Sequence, residues 1–159
     1  AIVLDASSTS LAIAHHLRGR QDLTVITYSL EVLNELTSAP QIDVVLMGGF
    51  FQRATMSLIG AYGLDQLRQY NIRLGFFGAH GLDAQTGLTD VSATEARVKA
   101  ELLPHCREVV AVLDATKWGR VGSVTFAAPH KIHRIITNAG APQALVAAME
   151  ERGIAVISV

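Results

Sequence analysis

The residues able to do chemistry gather where short apolar runs end. Ile2-Val3-Leu4 gives way to Asp5-Ala6-Ser7-Ser8-Thr9-Ser10. Four successive hydroxyl residues opening a helix offer free backbone N–H groups, a favourable dipole and extra donors, which suits an anion and phosphate above all. Ordinary N-capping by one Ser or Thr is the plainer account of the same residues. Later run ends give Thr27-Tyr28-Ser29, Gly48-Gly49, Gly78-Ala79-His80-Gly81 with Gly87-Leu88-Thr89-Asp90, and Asp114-Ala115-Thr116-Lys117-Trp118-Gly119. Ser29 reads as a cap or a ligand contact. Gly48-Gly49 reads as a tight strand exit or a close backbone approach to a ligand. Lys117 is one of only three lysines, with Lys99 and Lys131, and is the strongest single candidate for a phosphate contact. A charge-assisted bond of that kind is worth roughly 1.5–3 kcal/mol.

Glu95 has competing readings. Ser92-Ala93-Thr94-Glu95 fits a capping box, and Glu95 with Lys99 fits an i,i+4 surface ion pair. As a carboxylate near the pocket edge it is also a candidate base, with Asp5 and Asp114. His80 sits inside a glycine turn, either donating to a ligand hydroxyl or filling space. The remaining histidines, His15-His16, His105 beside Cys106, and His130 with His133, lack companion ligands, so no metal is expected. No Walker loop occurs, and Gly75, Gly78 and Gly81 have the wrong spacing for a dinucleotide fingerprint.

These residues need a scaffold that brings them to one edge. Strands are expected at 1–4, 23–27, 44–47, 73–77, 109–113, 134–137 and 154–158. Helices are expected at 9–18, 30–37, 57–69, 92–103 and 142–152. The strands run apolar without strict alternation, as when both faces are covered. Strands alternating with helices predict a three-layer α/β/α, Rossmann-like parallel sheet. Ligands of such sheets bind beyond the carboxyl ends of the strands. Residues 118–131 are left unplaced.

Composition bounds the rest. With 159 residues, 50% apolar and 17% charged, the chain is long enough and apolar enough for one folded domain. The longest apolar stretch, Val44 to Phe51, falls far short of the about 18 residues of a membrane span. A net charge of −1 gives no basic field for nucleic acid, and one cysteine fits a reducing, cytoplasmic setting. So many apolar and so few charged residues predict surface covered by another copy. The chain opens directly in a strand without a cationic lead, so a piece of a longer protein is expected rather than a signal peptide.

Taken in order, Asp5-Ala6-Ser7-Ser8-Thr9, Leu23 to Ser29, Gly48-Gly49, Ser57-x-x-Gly60, Phe77 to Gly81, Gly87-Leu88-Thr89, Glu95-x-x-x-Lys99, Asp114 to Gly119 and Ile135-Ile136-Thr137-Asn138 resemble the C-terminal effector domain of DeoR-family bacterial transcription regulators. The resemblance implies a fold akin to ribose-5-phosphate isomerase and the CoA transferases. It implies a phosphorylated sugar or related effector, homo-oligomers, no cofactor, and an upstream winged helix-turn-helix domain that contacts operator DNA. Carried over, the ligand contacts are Ser7, Ser8, Thr9, Ser29, Gly48, Gly78, Gly81, Glu95, Lys99 and Lys117. Tyr28 stands where the family usually has Asn, His80 where it has a small residue, and Asn138 where it has Asp. Tyr28 and His80 enlarge side chains at the pocket. A non-catalytic sensor is the expected function, with a sugar-phosphate isomerase on the same scaffold as the alternative. A CoA-transferase fragment is a third reading, for which the chain is short.

Overall fold

The computed structural model describes residues 1–159, apart from the Ala61 side chain. Along the chain the first elements are β1 (Ile2–Leu4), α1 (Ser8–Leu17), β2 (Leu23–Thr27), α2 (Leu30–Leu36), β3 (Ile42–Leu46), β4 (Gly48–Gln52) and β5 (Ser57–Tyr62). Then come β6 (Leu74–Phe77), β7 (Gly81–Asp83), β8 (Gly87–Asp90) and α3 (Ala93–Leu102). The last are β9 (Glu108–Val112), β10 (Val124–Ala127), β11 (Arg134–Thr137), α4 (Gln143–Glu150) and β12 (Ala155–Ser158).

Seven strands form one parallel sheet in the order β12-β11-β9-β6-β1-β2-β3. They are the seven runs read from the sequence, with ends shifted by up to two residues. Alternate side chains of a strand point to opposite faces. Ile2 and Leu4 therefore join Val25, Ala14 of α1 and Val32 of α2 on one side. Val3 joins Ile26, Phe77, Ala111, Ile135, Val98 and Leu102 of α3, and Met149 of α4 on the other. The result is the expected three-layer architecture.

Two expectations are corrected. The helix read over 57–69 is instead strand β5 followed by a 3-10 turn over Leu64–Gln69. Gly60 and Gly63 adopt φ of +110° and +97°, which no helix permits. Leu58 and Ile59 pair with Phe51 and Phe50 of β4 in an antiparallel hairpin, so Gly48-Gly49 opens a strand rather than ending one. The unplaced stretch 118–131 contains β10, which pairs with β8 in a small antiparallel sheet with β7.

The hairpin is clamped over one end of the sheet. Leu30 N–H donates to the Met56 carbonyl and Leu58 N–H to the Tyr28 carbonyl, both at 2.8 Å. Thus the β4–β5 turn covers the β2–α2 connection. No helix is long and apolar enough to cross a membrane.

Candidate functional site

The sheet order has one topological switch point. From β1 the chain adds β2 and β3 on one side, and β6, β9, β11 and β12 later fill the other. A crevice opens beyond the strand ends where such a sheet reverses direction, between β1 and β6. The turns Asp5-Ala6-Ser7-Ser8 after β1 and Gly78-Ala79-His80 after β6 flank that switch point. The two turns lie in contact: a Cβ on Gly78 would stand 2.5 Å from Ser7 Cβ. Only glycine fits there.

Asp5 organises the crevice. Fully buried, its Oδ1 accepts from Ser7 N–H at 3.1 Å, the Ser7 hydroxyl at 2.5 Å and the Ser10 hydroxyl at 2.6 Å. Its Oδ2 accepts from Gly78 N–H at 2.8 Å. One carboxylate therefore fixes both turns. Ser7 is also the N-cap of α1, its Oγ accepting from Ser10 N–H at 3.2 Å. That cap leaves the Ser8 and Thr9 N–H groups without an intrahelical acceptor. Both residues are exposed, as is His80 after β6, so polar groups face solvent on both sides of the switch point.

Lys99 lies buried beneath. Its ammonium donates to the Gly78 carbonyl at 2.9 Å and to Asp90 Oδ2 at 2.8 Å, lies 3.3 Å from Asp5 Oδ2, and sits 5.1 Å above the Phe126 ring centroid. Burial opposes the charge, but Asp5 and then Asp90 outweigh it and raise the ammonium pKa. All three donors are spent within the protein. The surface pair with Glu95 does not form, because this face of α3 turns inward.

Glu95 forms half of its capping box. Ser92 Oγ accepts from Glu95 N–H at 3.3 Å, but the carboxylate turns away and accepts from Thr55 Oγ1 at 2.8 Å and Ser57 Oγ at 2.7 Å. Both donors come from the hairpin. Next to this carboxylate is Tyr28, fully buried. Burial, then the charges of Asp5 and Glu95, push its phenol well above the usual range. It therefore stays protonated.

The other sequence candidates divide. Ser29 is the cap of α2, accepting from Val32 N–H at 3.2 Å. Gly48 pairs with Tyr62 in the hairpin and is not brought to the crevice. Gly81 is close-packed against the Arg120 carbonyl, 2.2 Å from where a Cβ would stand. Lys117 is half-buried in the 3-10 turn Ala115–Lys117 after β9, two strands from β1. The Asp114 carboxyl caps that turn, and hydrogen bonds from the Thr116 side chain and backbone lower its pKa. Asn138 Oδ1 accepts from Ala115 N–H at 2.7 Å and braces the same turn. Asp90, Thr55 and Phe126 were not singled out from sequence. Asp90 carried the only available signal, a carboxylate closing the run Gly87-Leu88-Thr89. Among the described residues no group of three or more His, Cys, Asp or Glu is placed to hold a metal.

Residues 1–139 match the family model for the DeoR C terminal sensor domain. The chain belongs to this family. The DeoR-type sensor domain is 35% identical over 155 residues to the HTH-type transcriptional regulator GolR of Listeria innocua, covering 98% of this chain and 61% of that protein. It is 26% identical to the glycerol-3-phosphate regulon repressor of Escherichia coli K12, covering 96% of this chain and 61% of the repressor. The chain thus spans about three-fifths of the length of these curated relatives, which are transcriptional regulators. Among solved structures it resembles ribose 5-phosphate isomerase A from Neisseria gonorrhoeae, with TM-score 0.52 and 13% identity over 74% of this chain and 44% of that one. It also resembles eIF2B beta from Chaetomium thermophilum, with TM-score 0.56 and 16% identity over 94% and 48%. At these identities the likeness establishes the fold, that of ribose-5-phosphate isomerase, as the family resemblance implied.

The sensor domain depends on the Asp5–Lys99–Asp90 cluster. Lys99→Met leaves two carboxylates facing each other and should cost about 3–5 kcal/mol, lowering Tm by roughly 10 °C at this size. Because the folded-state ammonium pKa is raised, its contribution is complete below the ordinary lysine value of 10.5 and is lost as pH rises beyond it. Wild-type thermal melts should therefore weaken above that pH, and the variant should lack this alkaline limb. An unchanged Tm for Lys99→Met would contradict the assignment.

Proposed function

We propose that this domain senses a phosphorylated sugar or related metabolite and passes that binding to an upstream helix-turn-helix domain that contacts operator DNA. The carrying observation is the pair of unpartnered α1 amides, Ser8 and Thr9, opening on the β1–β6 crevice. A phosphate seated there receives two N–H bonds, two exposed hydroxyls and the positive end of the helix dipole. Lys117, on the turn after β9, is the proposed charged contact to that phosphate. His80, on the opposite lip, contacts the sugar. Lys99 and Glu95 act beneath the ligand by holding Asp5, Gly78 and the hairpin in place. A relative named for the glycerol-3-phosphate regulon supports a phosphorylated polyol-like effector. Binding need only favour one of two arrangements of the whole regulator for operator affinity to change.

The isomerase alternative requires a base poised near the working pH. Asp5 is saturated by donors, Glu95 accepts from two hydroxyls, and Asp114 is held below the usual carboxylate range. That favours the non-catalytic reading.

A thermal-shift panel of sugar phosphates tests the proposal. At 100 times its Kd a ligand adds about 2.7 kcal/mol, hence several degrees of Tm. One phosphorylated compound should raise Tm, its dephosphorylated form should not, and NMR should show no turnover. Lys117→Ala should weaken binding roughly 10- to 100-fold, the loss of one charge-assisted bond. Isomerisation at tens per second would overturn the sensor reading.

The homo-oligomer expected from composition is proposed to use the hairpin, where Phe50, Phe51, Met56 and Tyr62 stand 69%, 47%, 41% and 57% exposed. Light scattering at micromolar concentration should give more than a monomer mass, and Phe50→Asp should reduce it. A monomer mass for the wild type would remove this element.

A further inference from the structure

The seven-stranded sheet ends in two edges, β3 and β12, and they are built differently. An edge strand presents unpaired N–H and C=O groups to any further strand, and proteins usually guard it with charge or proline. β3 carries the exposed carboxylate of Asp43. β12 has no such guard. The run Ile154-Ala155-Val156-Ile157-Ser158-Val159 holds neither a charged residue nor a proline, and Ile157 stands 41% exposed. Which backbone groups of β12 are free follows from its ladder. Ala155 N–H donates to the His133 carbonyl at 3.2 Å and Val159 N–H to the Thr137 carbonyl at 2.9 Å. Successive residues of a strand aim their backbone groups to opposite sides. The N–H and C=O of Val156 and Ser158 therefore point away from β11, out of the sheet edge.

We propose that β12 pairs antiparallel with β12 of a second copy about a two-fold axis at Val156, joining two seven-stranded sheets into one. Val156 then donates to and accepts from the partner's Val156. Ser158 N–H donates to the partner's Ile154 carbonyl, and the symmetry-related bond completes the set. The Ile154 N–H is not needed, since it already donates to the Met149 carbonyl. Side chains suit the same axis. Ala155 and Ile157 share one face of the strand, and the axis sets Ala155 opposite the partner's Ile157, small against large. Val156, on the α4 side of the sheet, meets its own copy on the other face. Because the run is uncharged, pairing with itself brings no like charges together. A two-fold contact has to be self-complementary, and this segment is, so the occupant of the edge is a second copy. The surface is distinct from the hairpin. The hairpin bonds to Tyr28 and Leu30 after β2, and β1, β6, β9 and β11 all lie between β2 and β12. Two separate two-fold contacts on one subunit close into a tetramer.

Light scattering at micromolar concentration and amide exchange followed by NMR test this on wild type, Val156→Pro, Phe50→Asp and the double variant. Val156→Pro removes an N–H that faces away from β11, so the β11–β12 ladder keeps its bonds, and edge strands accept proline. Wild type should be a tetramer, each single variant a dimer and the double variant a monomer. Ile157→Lys, which changes only an exposed side chain and sets a charge against the partner's Ala155, should act in the same direction as Val156→Pro. In wild type the Val156 and Ser158 amides should exchange at least about 100-fold more slowly than free amides, and Ser158 should lose that protection in Val156→Pro. A folded Val156→Pro domain of wild-type mass would overturn the pairing, as would free exchange of the Val156 and Ser158 amides in wild type. A wild-type dimer that only Phe50→Asp converts to monomer would also overturn it, while leaving the hairpin contact in place. A wild-type dimer that Val156→Pro dissolves and Phe50→Asp does not would support β12 pairing and remove the hairpin contact. A monomeric wild type would overturn both.

Discussion

Lys99 is a full charge held out of water, and the geometry of the site follows from how it is compensated. Its ammonium touches Asp5 after β1, Asp90 at the end of β8 and the Gly78 carbonyl after β6. It thereby ties α3 to three chain turns that are far apart in sequence. Removing water from a charge is costly unless partners surround it, and breaking one such partnership costs far more than the intact cluster gains. The cluster consequently tolerates very few arrangements. Asp5, pinned from below, in turn holds Ser7, Ser10 and the Gly78 amide, so the mouth of the crevice is set by a carboxylate that no ligand needs to touch.

This arrangement also separates positive from negative potential within one small region. The open α1 terminus, with Lys117 on the β9 turn, presents donors outward. Beneath it, Asp5, Asp90 and Glu95 carry three negative charges against the single ammonium of Lys99. The hairpin contributes Thr55 and Ser57 to the floor while presenting aromatic side chains on its outside. The contacts to Glu95 and the exposed aromatic side chains therefore belong to one hairpin.

The central sheet was legible in the sequence because its strands are short, apolar on both faces and bounded by polar turns. Ser7-Ser8-Thr9 and Gly78 were legible for the same reason, since each follows a readable strand. The hairpin was not. Leu58, Ile59 and their neighbours suit helix or strand about equally, and only pairing with Phe50 and Phe51 decides between them. The surface ion pair read between Glu95 and Lys99 failed on the same grounds. Spacing of i,i+4 puts two side chains on one face of a helix, but does not say whether that face meets water or the sheet. Asp90, nine residues from Lys99, becomes its partner only when β8 folds back against α3.

The most direct test of the central claim, that an anionic head docks at the β1–β6 switch point, is a titration of the isotopically labelled domain followed by amide NMR. With a sugar monophosphate that binds, the account predicts the largest shifts at the amides of Ser8 and Thr9, with smaller ones at Gly78 through Gly81. Shifts centred instead on the far end of the sheet, around Cys106 and His133, with the α1 terminus unmoved, would contradict it.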